Sequence, residues 1–209
     1  MDLVLTPAAQ LINDIFGSLD YAILSFYHSL AESAGVVMTP LMVFISYFGK
    51  GGIFFIVTSI VLICIKKTRR VGITCLAGIM IGALFTNLLI KPLVLRPRPY
   101  NFSEEIRTWW TLVGSHSESD YSFPSGHTTV VCDFSAAFCG AKGKKYIPFA
   151  ALAAMLMGVS RNYLMVHYPS DIIGGIIIGT QAGIAAALIV NLVYQKIAEK
   201  KLIDKANRE

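Results

Sequence analysis

The chain has 209 residues, of which 55% are hydrophobic and 15% charged, and its mean hydropathy is +0.61. The apolar residues fall in long runs, which argues against an ordinary soluble domain and indicates membrane helices. A net charge of +5 is compatible with a nucleic-acid-binding protein, but the basic residues stand between and after the apolar runs. That placement is typical of membrane orientation signals, so we expect a membrane protein with no nucleic-acid partner.

The first 50 residues are predicted to form an amphipathic helix, because apolar residues recur there at helical spacing among four ionisable ones. The apolar set is Leu11, Ile15, Leu19, Ala22, Ile23, Phe26 and Leu30, and the ionisable set is Asp14, Asp20, His28 and Glu32. We expect this helix to lie in the membrane interface, with a sixth membrane span as the alternative. No basic segment precedes it, so we do not interpret it as a cleaved signal peptide.

Five apolar segments follow, and each is predicted to be a membrane-spanning helix. They run from Gly52 to Ile65, Val71 to Ile90, His127 to Cys139, Tyr146 to Ser160 and Ile172 to Tyr194. Several are shorter than the roughly 20 residues that cross the hydrocarbon core, so the helices should continue into the flanking polar residues. The predicted fold class is therefore all-α, a polytopic membrane helix bundle with five spans plus the N-terminal helix.

Basic residues mark one end of the predicted bundle. They cluster after the first, third and last spans, within residues 66–70, 142–145 and 196–208. Short loops rich in Lys and Arg resist translocation, so this end is predicted to be cytoplasmic. No repeat or linker divides the chain, and we interpret residues 1–209 as one integral-membrane domain with interfacial helices (1–50), a central bundle (51–197) and a basic cytoplasmic tail (198–209).

Four cysteines are predicted to be free, buried thiols: Cys64, Cys75, Cys132 and Cys139. Their spacing contains no CxxC pair and no Cys/His combination of the kind that binds a metal ion. We expect no metal site and no cofactor.

Polar residues able to bind an anion stand at the start of the third span, in the sequence Pro124-Ser125-Gly126-His127. Ser125 is a good N-cap, and Gly126 allows a ligand to approach the backbone closely. Free amide groups and the positive end of the helix dipole would then face an anion beside His127. Short Ser/Gly motifs recur by chance, so an ordinary capped helix start with an interfacial histidine is the alternative.

A second cluster follows the second span, where Lys91 and Arg98 flank a proline-containing segment. The prolines break the helix and stiffen the chain, so the two cations could bind several oxygens of one phosphate. Cations at a helix end can instead extend toward lipid headgroups, and we interpret Arg96 in this way because no partner for it is evident.

The third cluster is Ser160-Arg161 followed by His167 and Asp171. Asp171 stands four residues after His167, close enough to accept a hydrogen bond from one ring nitrogen and leave the other as a nucleophile. Arg161 would add a third cation for phosphate. The alternative is a structural His/Asp pair that braces a loop.

Taken together, Lys91-x6-Arg98-Pro99, Pro124-Ser125-Gly126-His127 and Ser160-Arg161-x5-His167-x3-Asp171 resemble the three-part signature of the type 2 phosphatidic acid phosphatase superfamily. The resemblance implies that His167 forms a phosphohistidine, that Asp171 orients it, and that His127 protonates the leaving group. It also implies phosphate binding by Lys91, Arg98, Arg161 and the amides around Ser125 and Gly126, without a metal ion.

The resemblance implies a lipid phosphate or diphosphate substrate at the outer face of the plasma membrane. Undecaprenyl diphosphate is expected, and phosphatidylglycerophosphate or phosphatidic acid is the alternative. A soluble haloperoxidase carrying the same motifs is disfavoured by the apolar spans, and a non-catalytic lipid transporter or scaffold would not need both histidines. Residues 100–121 are predicted to form an outer loop over the site, with Trp109 and Trp110 anchored in the membrane interface.

Overall fold

In a computed structural model of the chain, residues 5–207 are described and form helices joined by short connections, with no β-strand among them. The helices are α1 (Pro7–Gly49), α2 (Ile53–Cys64), α3 (Arg69–Ala83), α4 (Lys91–Val94), α5 (Pro99–Phe102), α6 (Glu104–Leu112), α7 (Gly126–Lys142), α8 (Ile147–Tyr163) and α9 (Pro169–Ala206). A π-helical segment, Leu84–Ile90, joins α3 directly to α4. Two 3₁₀ turns, Lys50–Gly52 and Lys144–Tyr146, precede α2 and α8.

Each of the five apolar segments that the sequence predicts as a span is helical, and four of the helices extend into flanking polar residues as expected, whereas α2 ends at Cys64 before the basic residues that follow it. Three helical stretches within residues 5–207 are long and apolar enough to cross a membrane, namely Pro7–Cys64, Arg69–Phe102 and Pro169–Ala206. The all-α class with long apolar helices is therefore confirmed. The number of spans and the division of the chain into interfacial, bundle and tail segments stay predictions.

The centre of the bundle is α7, which packs most extensively against α9 and also contacts α3 and α8. Close approach of α7 and α9 depends on a row of glycines on α9 at four-residue spacing: Gly175, Gly179 and Gly183. A Cβ atom at Gly179 would stand 2.4 Å from the carbonyl oxygen of Thr129. Small residues at such positions let helix backbones meet in a membrane, where dispersion contacts take over part of the role of the hydrophobic effect. The row fixes the start of α9 against the start of α7, where the polar clusters lie.

Helix α1 contacts the polar-cluster end of the bundle, hereafter the site end. The hydroxyl of its N-cap Thr6 donates to the carbonyl oxygen of Val94, and Thr39 is hydrogen-bonded to Tyr163 at 2.8 Å. A kink with φ −133° at Ala34 separates the two halves. The predicted apolar side chains Leu11, Ile15, Leu19 and Phe26 are exposed, whereas Asp20 is buried. The interfacial position of α1 remains a prediction, but Asp20 faces the protein, whereas Asp14 and Glu32 are exposed.

The cysteines follow the prediction only in part. All four are free, and Cys75 and Cys132 are buried, but Cys64 is exposed and Cys139 is half-buried. Cys64 is the last residue of α2, which lies on the outside of the bundle, so the prediction of four buried thiols was wrong for this residue. The predicted tail is helical as far as Ala206, and its Arg208 lies outside the described residues.

Substitution of Gly179 by leucine is expected to destabilise the bundle, because the side chain would meet the α7 backbone. Overpacking of this kind costs about 1 to 3 kcal/mol, which should lower the midpoint of thermal unfolding in detergent by several degrees. Gly17→Ala is the control, since no atom lies within 4 Å of the added Cβ and alanine favours a helix. A Gly179→Leu protein as stable as the parent would show that α7 and α9 are farther apart.

Candidate active site

The three polar clusters meet at one cavity of about 320 Å³ at the site end of the bundle. Five of the residues singled out from the sequence line it: Lys91, Arg98, Gly126, His127 and His167. The other three, Ser125, Arg161 and Asp171, are buried next to it. The structure therefore brings together segments that are up to 80 residues apart in the chain, as the motifs suggested.

Lys91 and Arg98 are both almost fully buried and share one carboxylate, that of Asp120. The Nη2 atom of Arg98 donates to Asp120 Oδ1 at 2.5 Å, and the ammonium group of Lys91 pairs with the other oxygen. Burial raises the pKa of Asp120, but the two cations outweigh it and bring that pKa down to about 2. Asp120, which the sequence did not single out, therefore occupies the position that an anionic group of a ligand would take.

Arg161 is held in the same way by residues that sequence reasoning missed. Its guanidinium pairs with Glu118 from the loop before α7, and its Nη1 donates to the hydroxyl of Ser46 on α1 at 2.5 Å. The Nε–H of Arg161 is buried and has no hydrogen-bond partner among the described residues. An unsatisfied buried donor beside the cavity is free to bind a further acceptor.

His167 is oriented from both sides of its ring. The Nη1 atom of Arg98 lies 3.2 Å from Nε2, and the Oδ2 atom of Asp171 lies 3.4 Å from Nδ1. A guanidinium can only donate, so Nε2 is the acceptor and Nδ1 carries the proton that faces Asp171. Burial, followed by the positive charges of Arg98, Arg161 and Lys91, holds the pKa of His167 well below its usual value. The imidazole is therefore neutral at physiological pH, and its Nε2 lone pair accepts from Arg98.

Asp171 makes more contacts than its spacing from His167 implied. Its Oδ2 accepts from the hydroxyl of Ser122 at 2.5 Å and from the backbone N–H of Tyr168 at 2.9 Å, which closes the first turn of α9. Ser122 also lies 3.5 Å from His167 Nδ1. These bonds fix the carboxylate at the N-terminus of a helix, where a negative charge is favoured.

Ser125 is the N-cap of α7, as predicted, and its side chain accepts from the backbone N–H of Thr128 at 3.4 Å. Its own backbone N–H donates to the carbonyl oxygen of Asp171 at 3.1 Å. That amide is therefore already paired, and the anion-binding role predicted for the start of α7 falls to the amides of Gly126 and His127. A Cβ at Gly126 would stand 3.7 Å from the Lys91 ammonium, so the helix start and this cation adjoin.

His127 lies on the cavity wall between α7 and α1. Its Nε2 is 3.9 Å from Glu118 Oε1, which is too long for a hydrogen bond. Gly49, the last residue of α1, touches the ring so closely that an added Cβ would come within 2.6 Å of its Cδ2 atom. The end of α1 thus limits where the His127 side chain can go.

The interpretation of Arg96 as a cation extending toward lipid headgroups was wrong. Its side chain is 1% exposed and pairs with Asp171 at 2.7 Å and with Asp20 at 2.8 Å. The sequence hides this contact because Asp20 is 76 residues away on another helix. The available signal was Asp20 itself, a carboxylate among the apolar residues of a predicted membrane-associated helix, since a buried charge requires a partner.

The interfacial position predicted for Trp109 was wrong, because this side chain is buried and stacks on His28 of α1 with ring centroids 4.7 Å apart. Trp110 is partly exposed and stacks on Tyr100 at 4.5 Å, and its position in the membrane interface stays a prediction. The two rings hold α6 against α1 and α5. Glu118 and Asp120 follow in the same loop, so this packing also places the two carboxylates.

An all-helical bundle with a His/Asp pair and three cations around one cavity defines a class of membrane proteins that act on anionic groups, and comparison with known proteins specifies it. Residues 72–195 match the PAP2 superfamily model, so the chain belongs to the PAP2 superfamily. It is 32% identical over 143 residues to an undecaprenyl-diphosphatase from Sulfolobus acidocaldarius; this alignment covers 68% of the chain and 66%, just under two thirds, of that protein.

Two Bacillus subtilis proteins extend the comparison. The undecaprenyl-diphosphatase BcrC is 30% identical over 169 residues, with 79% of this chain and 81% of that protein covered. The crystal structure of a transmembrane PAP2-type phosphatidylglycerolphosphate phosphatase superposes with a TM-score of 0.64 at 24% identity, with 91% and 92% covered. That superposition supports the fold, and the three long apolar helices indicate a membrane protein.

Asp120→Asn is expected to strengthen inhibition by orthovanadate about three- to tenfold, because an anion that binds Lys91 and Arg98 must otherwise displace a carboxylate. The inhibition constant in detergent is the measurement. Glu104→Gln is a matched control, since it removes one negative charge from the same loop at an exposed residue paired with Arg107. Weaker inhibition of Asp120→Asn would mean that Asp120 prearranges the cations and does not compete with the anion.

Proposed function

We propose that the protein hydrolyses a lipid phosphate or diphosphate at the outer face of the membrane, with undecaprenyl diphosphate as the substrate. The observation that carries the proposal is the placement of His167, which lines one cavity with Lys91 and Arg98. Asp171 accepts from its Nδ1, and Arg98 donates to Nε2, the nitrogen that would attack phosphorus. Two relatives with the name undecaprenyl-diphosphatase support the choice of substrate. The basic residues at the opposite end of the bundle support the orientation.

In the first step, Nε2 of His167 attacks the terminal phosphorus and the bond from phosphorus to the leaving oxygen breaks. Asp171 stabilises the positive charge that forms on the imidazole, as a carboxylate does for histidine in other nucleophilic sites. Lys91, Arg98 and Arg161 stabilise the charge on the phosphoryl oxygens, a role that is mainly electrostatic in phosphoryl transfer. Asp120 and Glu118 must release these cations as the phosphate enters.

His127 completes the cycle by moving protons. It donates a proton to the leaving oxygen in the first step and takes one from water in the second, when water attacks phosphorus and the N–P bond breaks. The products are the dephosphorylated lipid and inorganic phosphate. Because cationic side chains supply the charge stabilisation, the proposed steps need no metal ion.

Phosphatidylglycerophosphate is the second candidate substrate. The solved Bacillus subtilis structure that matches 91% of this chain is a phosphatidylglycerolphosphate phosphatase. The described cavity residues would contact the phosphate in the same way for either lipid. The choice between the two substrates therefore rests on measured turnover of both lipids.

His167→Ala is expected to reduce turnover below about a hundredth of the parent, because no neighbouring side chain can replace the nucleophile. The assay measures phosphate release from undecaprenyl diphosphate and phosphatidylglycerophosphate in excess EDTA. Substrate supplied to the outside of sealed, right-side-out vesicles tests the orientation. His116→Ala is the control, because in the described structure His116 forms a hydrogen bond only through its backbone oxygen, which accepts from Trp110. Full activity of His167→Ala would contradict the proposal. Faster turnover of phosphatidylglycerophosphate than of undecaprenyl diphosphate would make phosphatidylglycerophosphate the proposed substrate instead.

His127→Ala should slow the first step more for a lipid monophosphate than for an activated aryl phosphate. A lipid alcohol leaves poorly without a proton, whereas a good leaving group departs unaided. Single-turnover rates of phosphoenzyme formation for the two substrates are the measurement. Equal losses for both would show that His127 binds phosphate and does not act as the general acid.

A further inference from the structure

The guanidinium of Arg96 donates hydrogen bonds from all three of its nitrogens behind the active site. Its Nη1 donates to Asp171 Oδ1 and to Ser170 Oγ, both at 2.7 Å. Its Nη2 donates to Asp20 Oδ2 at 2.8 Å, and its Nε donates to Asn13 at 3.0 Å. The guanidinium also lies 3.8 Å above the centre of the Tyr168 ring. A side chain held at every nitrogen has one orientation, so it can transmit that orientation to Asp171.

Neither Arg96 nor Asp20 lines the cavity that contains His167. Both border a different cavity, between α1 and the start of α9. These residues are therefore placed to act on the reaction through Asp171 and not by touching a substrate. Asp20 in addition accepts from the backbone N–H of Ser170 at 2.8 Å and from its hydroxyl at 2.6 Å.

The two carboxylates and one guanidinium form a buried triad with a net charge of −1. Oδ1 of Asp171 accepts from Arg96, and Oδ2 is the oxygen that faces His167 Nδ1. If Asp20 were uncharged, Arg96 would neutralise Asp171 alone and the triad would carry no net charge. In a low-dielectric interior, a change of one unit charge at this distance strongly changes the protonation equilibrium of a neighbouring imidazole.

We propose that Asp20 and Arg96 are positioning residues for the reaction at His167, with Asp20 of α1 balancing Arg96 so that Asp171 keeps its negative charge for the imidazole. The proposal rests on the proposed function, since it concerns the same nucleophile. It gives α1 a role in catalysis, although most of this helix lies outside the matched family region of residues 72–195.

The charges around His167 set the direction of the expected effect. Lys91, Arg98 and Arg161 face it with positive charge, His127 shares its cavity, and Asp120 and Asp171 face it with negative charge. Loss of the Asp20 charge makes the protonated imidazole less favourable. His167 then stays neutral to lower pH, and it becomes a weaker nucleophile. Loss of the Arg96 charge has the opposite effect on protonation.

The test is the pH dependence of kcat/KM for three variants of the full-length protein in detergent. Asp20→Asn should move the acid limb to lower pH by roughly half a unit to one unit and reduce kcat on the order of tenfold, with KM little changed. Arg96→Gln should move the acid limb to higher pH. Asp20→Asn/Arg96→Gln restores a net charge of −1 and should return the limb to the parental position, with kcat still low because Asp171 has lost its orientation.

Asp14→Asn is the matched control, because Asp14 is an exposed carboxylate on the same helix that bonds only to Gln10 in the described structure. Opposite shifts for the two single variants would support the proposal, and either shift alone suffices if the other variant does not fold. Reduced activity with an unmoved acid limb would mean that the triad only holds α1 in place. A parent enzyme with no phosphatase activity would refute the proposed function instead, before any variant is compared.

Discussion

Pairing of buried charges is the constraint on which the site end of this bundle depends. Lys91, Arg96, Arg98 and Arg161 are all nearly inaccessible to solvent. A buried cation without a counter-ion would cost several kcal/mol, so each must find a carboxylate. The partners come from three separate parts of the chain: Asp20 on α1, Glu118 and Asp120 on the loop before α7, and Asp171 at the start of α9. The same pairing that lets the charges be buried ties these parts together.

The four carboxylates differ in their exposure to solvent, and this difference separates structural from chemical roles. Asp120 is half-exposed and Glu118 is partly so, which means that an incoming anion can compete with them for the cations. Asp20 and Asp171 are closed to solvent and cannot be displaced in this way. The cations on the cavity side are therefore available to a ligand, whereas Arg96 is committed to the protein.

The sequence was sufficient to predict the N-terminal helix, the five apolar helices, the N-cap at Ser125 and the meeting of the three motifs. These features depend on local signals, namely apolar runs, capping residues and the spacing of His167 and Asp171. It was not sufficient for α5 and α6, which lie in the predicted outer loop, or for Arg96 and Trp109, because the environments of these two side chains are created by α1, whose docking depends on contacts between residues far apart in the chain. An Arg and a Trp near a predicted membrane surface have an ordinary interfacial explanation, so burial of these side chains could not be recognised before α1 was placed.

The π-helical segment Leu84–Ile90 limits insertions and deletions in the chain before Lys91. A π turn contains about one residue more than an α turn, so everything after it is rotated relative to an uninterrupted helix. Lys91 follows directly, and its direction into the cavity therefore depends on how many residues precede it. Removal of one residue here would turn the lysine by about 100° around the helix axis without altering any motif. The number of residues in this stretch is therefore constrained independently of the side chains that it carries.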